Sequence, residues 1–142
     1  MTTVQQLLDK KGHEVLSVHP DDTVFDAIKK MADNDVGSVV VIEDDRPAGI
    51  FTERQYARNV ILKGRSSPMT SVRDVMEKRV VCVHPRQTVD ECMAVMTDKR
   101  IRHLPVLDHK KLVGIVSIGD LVKSKIADQE FTIERLVEYV RG

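Results

Sequence analysis

The chain has 142 residues, 42% hydrophobic and 31% charged, which is ordinary for a globular protein and long enough for one core or for two half-sized units that share one. Its 22 basic and 22 acidic residues cancel, so net charge offers no field to draw nucleic acid or a membrane surface. No apolar run approaches the roughly 20 residues that span a bilayer, and MTTVQQLLDKKG lacks the apolar stretch of a signal peptide, so a cytoplasmic protein is expected.

A short β-branched strand is predicted over 15–18, ending at His19-Pro20, where proline stops the ladder. Thr23 then stands at an N-cap position with Asp26 three residues on, and Val24, Ile28 and Met31 follow at helical spacing. The run SVVVIEDDRPAGIF reads as strand, polar turn and strand, an antiparallel hairpin. A second helix is expected from near Glu53, with Tyr56, Ala57, Val60 and Ile61 on one face. Residues 63–71, opening KGRSSPMT, are rich in Gly, Ser and Pro without apolar periodicity and read as a linker.

The whole series then returns. VLSVHPDDTV reappears as VVCVHPRQTV at a shift of 65 residues, the distance from His19 to His84. Without a gap the same shift carries Thr23 onto Thr88, Met31 onto Met96, Val41 onto Val106 and Gly49 onto Gly114. Upstream, Val4, Leu7 and Leu8 mirror Val72, Val75 and Met76 if the first copy has three extra residues before its strand. The second copy therefore predicts a strand over 80–83, a helix carrying Val89, Met93 and Met96, a hairpin LPVLDHKKLVGIV, and a helix from near Ile118 with Leu121, Val122 and Ile126. Each unit is β-α-β-β-α. Strands such as 39–42 are apolar on both faces, so a sheet covered by helices on one side must bury the other, and pairing the two units sheet to sheet does so. Residues 128–142 are expected to add an amphipathic helix outside the repeat, with Phe131, Ile133, Leu136, Val137 and Val140 on its apolar face.

Two β-α-β-β-α copies, each with an apolar hairpin running into Gly-hydrophobic-hydrophobic-(Ser/Thr) at a helix start, resemble a pair of cystathionine-β-synthase-type (CBS) domains. GIFTERQYARNVILKGRSS and IRHLPVLDHKKLVGIVSIGDLV carry most of the resemblance. It divides the chain into domains at 4–62 and 72–127, with the linker between them and the C-terminal helix after. The fold it implies is an α/β (α+β) pair packed around a pseudo-two-fold axis. It also implies a regulatory module with no chemistry of its own, of the kind that gates an attached enzyme or transporter; here the expectation is that nothing is attached. The ligand implied is an adenine nucleotide, AMP, ADP, ATP or NAD(H), and the partners a second copy of the chain and an unknown downstream protein.

Ser117, Ile118, Gly119 and Asp120 follow a strand and open a helix, so backbone N–H groups and a hydroxyl face a ligand there. The resemblance makes Asp120 the acceptor for both ribose hydroxyls, a role that suits an acceptor-only carboxylate. The alternative is structural: Ser-x-x-Asp is also a capping box. The first copy has Thr52, Glu53, Arg54 and Gln55 at the matching positions, and neutral Gln55 departs from the family's usual aspartate, so the two clefts are expected to differ. By the same resemblance each cleft is completed by the first strand of the opposite copy, Ser17 and Val18 for Asp120, Cys82 and Val83 for Thr52. Gly37, Ser38 and Val39, with Arg102, His103, Leu104 and Pro105, would lie near the axis where phosphates approach. Gly37 permits close backbone approach, Arg102 supplies a planar cationic fork, and His103 a donor that titrates near neutrality. Arg54 and Arg58 share a helix face near Lys63 and Arg65, an arrangement that is either a phosphate contact or a solvated surface.

His19 and His84 occupy the same place in each copy, which argues for a structural repeat rather than a metal site. Cys82 and Cys92 have no partners at metal-ligand spacing and read as small buried packing residues. No nucleophile-base constellation or glycine-rich phosphate loop is present, so no catalytic residue is assigned. The rival to a nucleotide sensor is a ligand-free dimerisation scaffold in which both Ser/Thr-x-x-(Asp/Gln) motifs are caps.

Overall fold

The computed structural model describes residues 1–141, which form two compact units. One is Glu14–Val81 and holds the first copy. The other joins Met1–His13 to the residues from Cys82 onward and holds the second.

In the first unit β1 (Ser17–Val18) pairs in parallel with β2 (Ser38–Glu43), which pairs antiparallel with β3 (Arg46–Thr52), giving a three-stranded sheet. Between β1 and β2 runs α2 (Val24–Asp33), capped as expected: the Thr23 hydroxyl accepts from the Asp26 N–H at 3.1 Å. The hairpin turns through Asp44 and Asp45 with φ of 53° and 61°, the pair of left-handed residues that a two-residue hairpin needs. Val39 and Val41 from β2, Phe51 from β3 and Val24, Ala27 and Met31 from α2 close a fully buried core. Past Thr52 the chain makes one α turn, α3 (Glu53–Gln55), and then widens into a π-helix over Tyr56–Ile61. The widening rotates the apolar face expected there. Val60 is buried and Tyr56 half-buried, whereas Ala57 and Ile61 are exposed. The linker is not wholly irregular, since Ser67–Met69 forms a 3-10 turn.

The second unit repeats this plan with α4 (Val89–Lys99), β4 (His103–Asp108), β5 (Lys111–Ser117) and α5 (Ile118–Arg141). Thr88 caps α4, accepting from the Glu91 N–H at 3.1 Å, and His109 and Lys110 make the positive-φ turn. The irregularity between Val41 and Ile42 in the first hairpin recurs between Val106 and Leu107 in the second.

Two expectations are corrected here. The strand predicted over 80–83 is only a bridge, Val83 to Val106, so this sheet has two named strands. In the first copy the Val40 N–H donates to the Leu16 carbonyl at 3.0 Å; the residue in that place in the second copy is Pro105, which has no N–H to give. Nor is the C-terminal segment a separate helix. With no proline anywhere and no glycine beyond Gly119, nothing interrupts α5 between Ile118 and Arg141, and the two predicted helices are one. Gly142 lies outside the described residues.

The segments that precede the two copies change places. Helix α1 (Val4–Lys11) leads into the first copy but belongs to the second unit, where Val4, Leu7 and Leu8 are buried. Its N–H groups at Val4 and Gln5 donate to Gln87 and Pro85 at 2.8 and 2.9 Å. The 3-10 turn Val72–Asp74 leads into the second copy but packs in the first unit, with Val72 and Arg73 donating to Asp22 and Pro20, both at 2.9 Å. Close approach explains the repeated strand glycine. A Cβ on Gly114 would lie 2.7 and 2.8 Å from the Leu8 methyls, and one on Gly49 would lie 2.7 Å from the Met76 sulfur and 2.9 Å from the Glu77 carbonyl. Arg73 fastens its segment further, reaching Glu43 at 2.6 Å and Asp21 at 3.2 Å.

Candidate functional site

The site begins where each hairpin's last strand becomes a helix, because there the first N–H groups of the helix have no partner inside it. In the second unit the Ser117 N–H donates to Asp120 Oδ2 at 2.8 Å and the Asp120 N–H donates to Ser117 Oγ at 3.2 Å, a complete capping box. Asp120 does more than cap. The Lys11 ammonium, from the last residue of α1, donates to the same Oδ2 at 2.5 Å and to the Ile115 carbonyl at 2.7 Å. Burial opposes the charge on Asp120, but the hydrogen bond from Lys11, that from the Ser117 N–H and the Lys11 charge outweigh it. The carboxyl is held below its ordinary value and is ionised at neutral pH.

Around it the second copy's other candidates gather. His103 pairs with Ser117, Leu104 with Val116 and Pro105 with Ile115 across the hairpin, and the Ile118 N–H donates to the Arg102 carbonyl at 2.9 Å. Cys82 and Val83 lie behind them, the Val83 N–H donating to Pro105 at 3.0 Å. Gly119 is exposed on the first turn of α5, as is Arg102 before β4. Val83, Leu104 and Pro105 are buried.

The first unit has the same arrangement with different chemistry. Ser38 pairs with Thr52 and Val39 with Phe51, while the Glu53 N–H donates to the Gly37 carbonyl at 3.2 Å, the counterpart of the Arg102 bond. Ser17 and Val18 pair with Val40 and Val41 in the same sheet. Here the Thr52 N–H donates to Gln55 Oε1 at 3.0 Å and the Gln55 N–H to the Thr52 hydroxyl at 3.4 Å, while that hydroxyl also bonds the same Oε1. Gln55 thus spends its one oxygen on the cap and brings no charge, and Arg54 is exposed beside it.

Asp120 and Lys11 also line a groove of about 710 Å3 between α1 and α5, to which Lys10 and Lys123 contribute. That volume is in the range of small-molecule sites, about 300–1,000 Å3. A second groove, of about 570 Å3, lies between the start of α4 and α5 and holds none of the candidate residues.

Lys11 was not among the candidates drawn from the sequence. The contact with Asp120 spans more than a hundred residues and has no local pattern. The two cysteines behave differently from one another. Cys92 is fully buried, and burial with Glu91 nearby pushes its thiol up to about 11. Cys82 is only half-buried, a correction to its reading as a core residue, and burial raises its thiol too. Both remain protonated at neutral pH. His19 and His84 hold matching turns, their N–H groups donating to Asp22 and Gln87 side chains at 2.8 and 2.9 Å. Among the described residues no group of three or more His, Cys, Asp or Glu is placed to hold a metal ion.

A repeated β-α-β-β-α unit with a Ser/Thr-capped helix after each hairpin defines a tandem pair of CBS domains, and the chain belongs to that family: the CBS domain model matches residues 6–61 and again 72–126. The chain is 41% identical over 150 residues to CBS domain-containing protein CBSX3 of Arabidopsis thaliana, a mitochondrial protein, the match spanning 99% of this chain and 73% of that one. It superposes on a CBS-domain protein of Burkholderia ambifaria MC40-6 with a TM-score of 0.87 at 53% identity, covering 90% of this chain and 96% of the other. The CBS domain pair of MJ0100, solved with 5′-methylthioadenosine and S-adenosyl-L-methionine, has the same fold at a TM-score of 0.80 and 19% identity, over 90% of this chain and 98% of that one. No helix among the described residues is long and apolar enough to cross a membrane.

Proposed function

We propose that this CBS pair is a regulatory module that binds an adenosine-containing ligand, with Asp120 accepting hydrogen bonds from the ribose hydroxyls, and that it has no catalytic activity. The observation that supports this best is an ionised carboxylate at a helix start on the wall of a groove of about 710 Å3. A carboxylate offers two acceptor oxygens to a vicinal diol, whereas Gln55 has committed its single oxygen. The Asp120 side is therefore the stronger nucleoside site and the Gln55 side the weaker. Ligand binding signals by favouring one arrangement of the molecule over another, and a separate protein reads the difference.

Thermal unfolding with AMP, ADP, ATP, NAD(H) and S-adenosylmethionine tests the reading. Any one of them at about 100 times its dissociation constant should add about 2.7 kcal/mol of stability. Asp120→Asn should remove that gain. No shift with the whole panel would sink the nucleotide reading.

A second reading, a dimerisation scaffold without ligand, is favoured by α5. Val122, Ile126, Ile133, Leu136 and Val140 recur along it at spacings of four, seven, three and four, the seam of a two-helix coiled coil interrupted only by Gln129. These side chains are 39% to 83% exposed. A second copy of the chain, presenting the same stripe, would cover them. Sedimentation velocity should show a dimer that Ile133→Glu with Leu136→Glu converts to a monomer; a monomeric wild type would exclude the seam as a self-interface. A dimer with no ligand shift would favour the scaffold.

A further inference from the structure

Lys11 is more than a counter-ion for Asp120. Its ammonium and the Ser117 N–H both converge on Oδ2, the atom a ribose diol needs along with Oδ1 for two-point binding. A ligand that engages the carboxylate must therefore share it with Lys11 or turn the lysine aside. The side chain is long and flexible and a third exposed, and its second anchor is one carbonyl, Ile115. Lys11 lines the groove together with Asp120, Lys10 and Lys123, so cationic side chains surround the carboxylate on that wall.

The acidic residues on the groove are already engaged: Asp128 takes the Thr2 hydroxyl at 2.7 Å, and Asp9 takes Gln5 at 2.9 Å and His13 at 3.3 Å.

We infer that Lys11 is the residue by which the Asp120 site selects anionic, 5′-phosphorylated adenosine ligands over neutral or cationic ones, yielding the carboxylate to the ribose hydroxyls and pairing with the phosphate. This rests on the nucleotide reading above and adds the ligand's charge class to it. S-adenosylmethionine, which carries a sulfonium at the 5′ position, is disfavoured because that cation would face the lysines.

The test is calorimetric titration of the full chain with AMP, adenosine and S-adenosylmethionine, in the wild type and in Lys11→Met, which keeps the aliphatic stem. The wild type should prefer AMP to adenosine by about ten-fold or more, the worth of one charge-assisted hydrogen bond. Lys11→Met should lose that preference through weaker AMP binding, with adenosine unchanged or tighter and S-adenosylmethionine tighter. Lys11→Arg, which restores the charge, should regain the preference. Equal loss of AMP and adenosine in Lys11→Met, or no change in their ratio, overturns the assignment while leaving the nucleotide reading intact. If the wild type binds none of the three but takes ADP, ATP or NAD(H), Lys11→Met should weaken that ligand and Lys11→Arg restore it; unchanged binding in Lys11→Met overturns the assignment. If nothing in the panel binds, both fall together.

Discussion

Burial works against the charge on Asp120, and the Lys11 and Ser117 donors work for it; the donors win. The sign of the consequence follows. A carboxyl whose folded pKa lies below its unfolded value stabilises the fold above the unfolded pKa, and that stability is lost as pH falls through the folded one. Acid unfolding should therefore include an Asp120 component that begins in the ordinary carboxylate range and continues below it. In Asp120→Asn the fall in stability between about pH 5 and pH 2 should be shallower than in the wild type, and at neutral pH the variant should be about 1 kcal/mol less stable, since it loses a charged cap and an ion pair. Urea titrations at a series of pH values measure both; parallel acid limbs in the two proteins would show that the Lys11 contact adds nothing. Glu43 has the same sign, because the hydrogen bond from Arg73 lowers its pKa, so the first unit too should weaken in acid.

At the scale of elements, one atom separates the two sheets. Val40 donates to Leu16 where Pro105 cannot donate to the second copy's first strand, and a ladder shrinks to a bridge at Val83. Pro105→Val should restore the missing donor. Hydrogen exchange should then find the amide at position 105 protected to an extent similar to Val40, with slower exchange in the flanking 80–83 segment. Rapid exchange at 105 would mean that something besides proline keeps the strand away. Helix α5 illustrates the reverse case, where nothing stops a helix. Its first turn is held by Leu121, fully buried, but from Phe131 onward every described residue is exposed, so the packing of the fold uses only the beginning of α5.

At the scale of the molecule, the exchange of leading segments ties each copy to a stretch of chain that precedes the other. Val4, Leu7 and Leu8 are buried in the second unit, and each such side chain contributes about 1.5–3 kcal/mol. Removing residues 1–13 should therefore destabilise the second copy, from which those residues are distant in sequence, and largely spare the first copy that they immediately precede. Hydrogen exchange resolved by segment would show faster opening over 82–141 than over 14–81. Uniform loss of protection would mean that the two units open as one. The same exchange brings Lys11 to Asp120, so the truncation should also abolish any preference for anionic ligands.

The β-α-β-β-α order, its duplication, the Thr23 and Thr88 caps, the two hairpin turns and the Ser-x-x-Asp and Thr-x-x-Gln motifs were all legible in the chain, because each depends on residues within a few positions of one another and on a repeat that doubles every signal. Even the asymmetry between Asp120 and Gln55 stands in the sequence. What only tertiary structure decided was the traffic between distant segments: that α1 belongs with the second copy, that Gly49 and Gly114 are small because Met76 and Leu8 lie against them, and that Lys11 holds the Asp120 carboxylate. Local pattern carries information about neighbours along the chain. Which apolar segment fills which groove depends on shape and buried area at close range, and those exist only once the chain has folded.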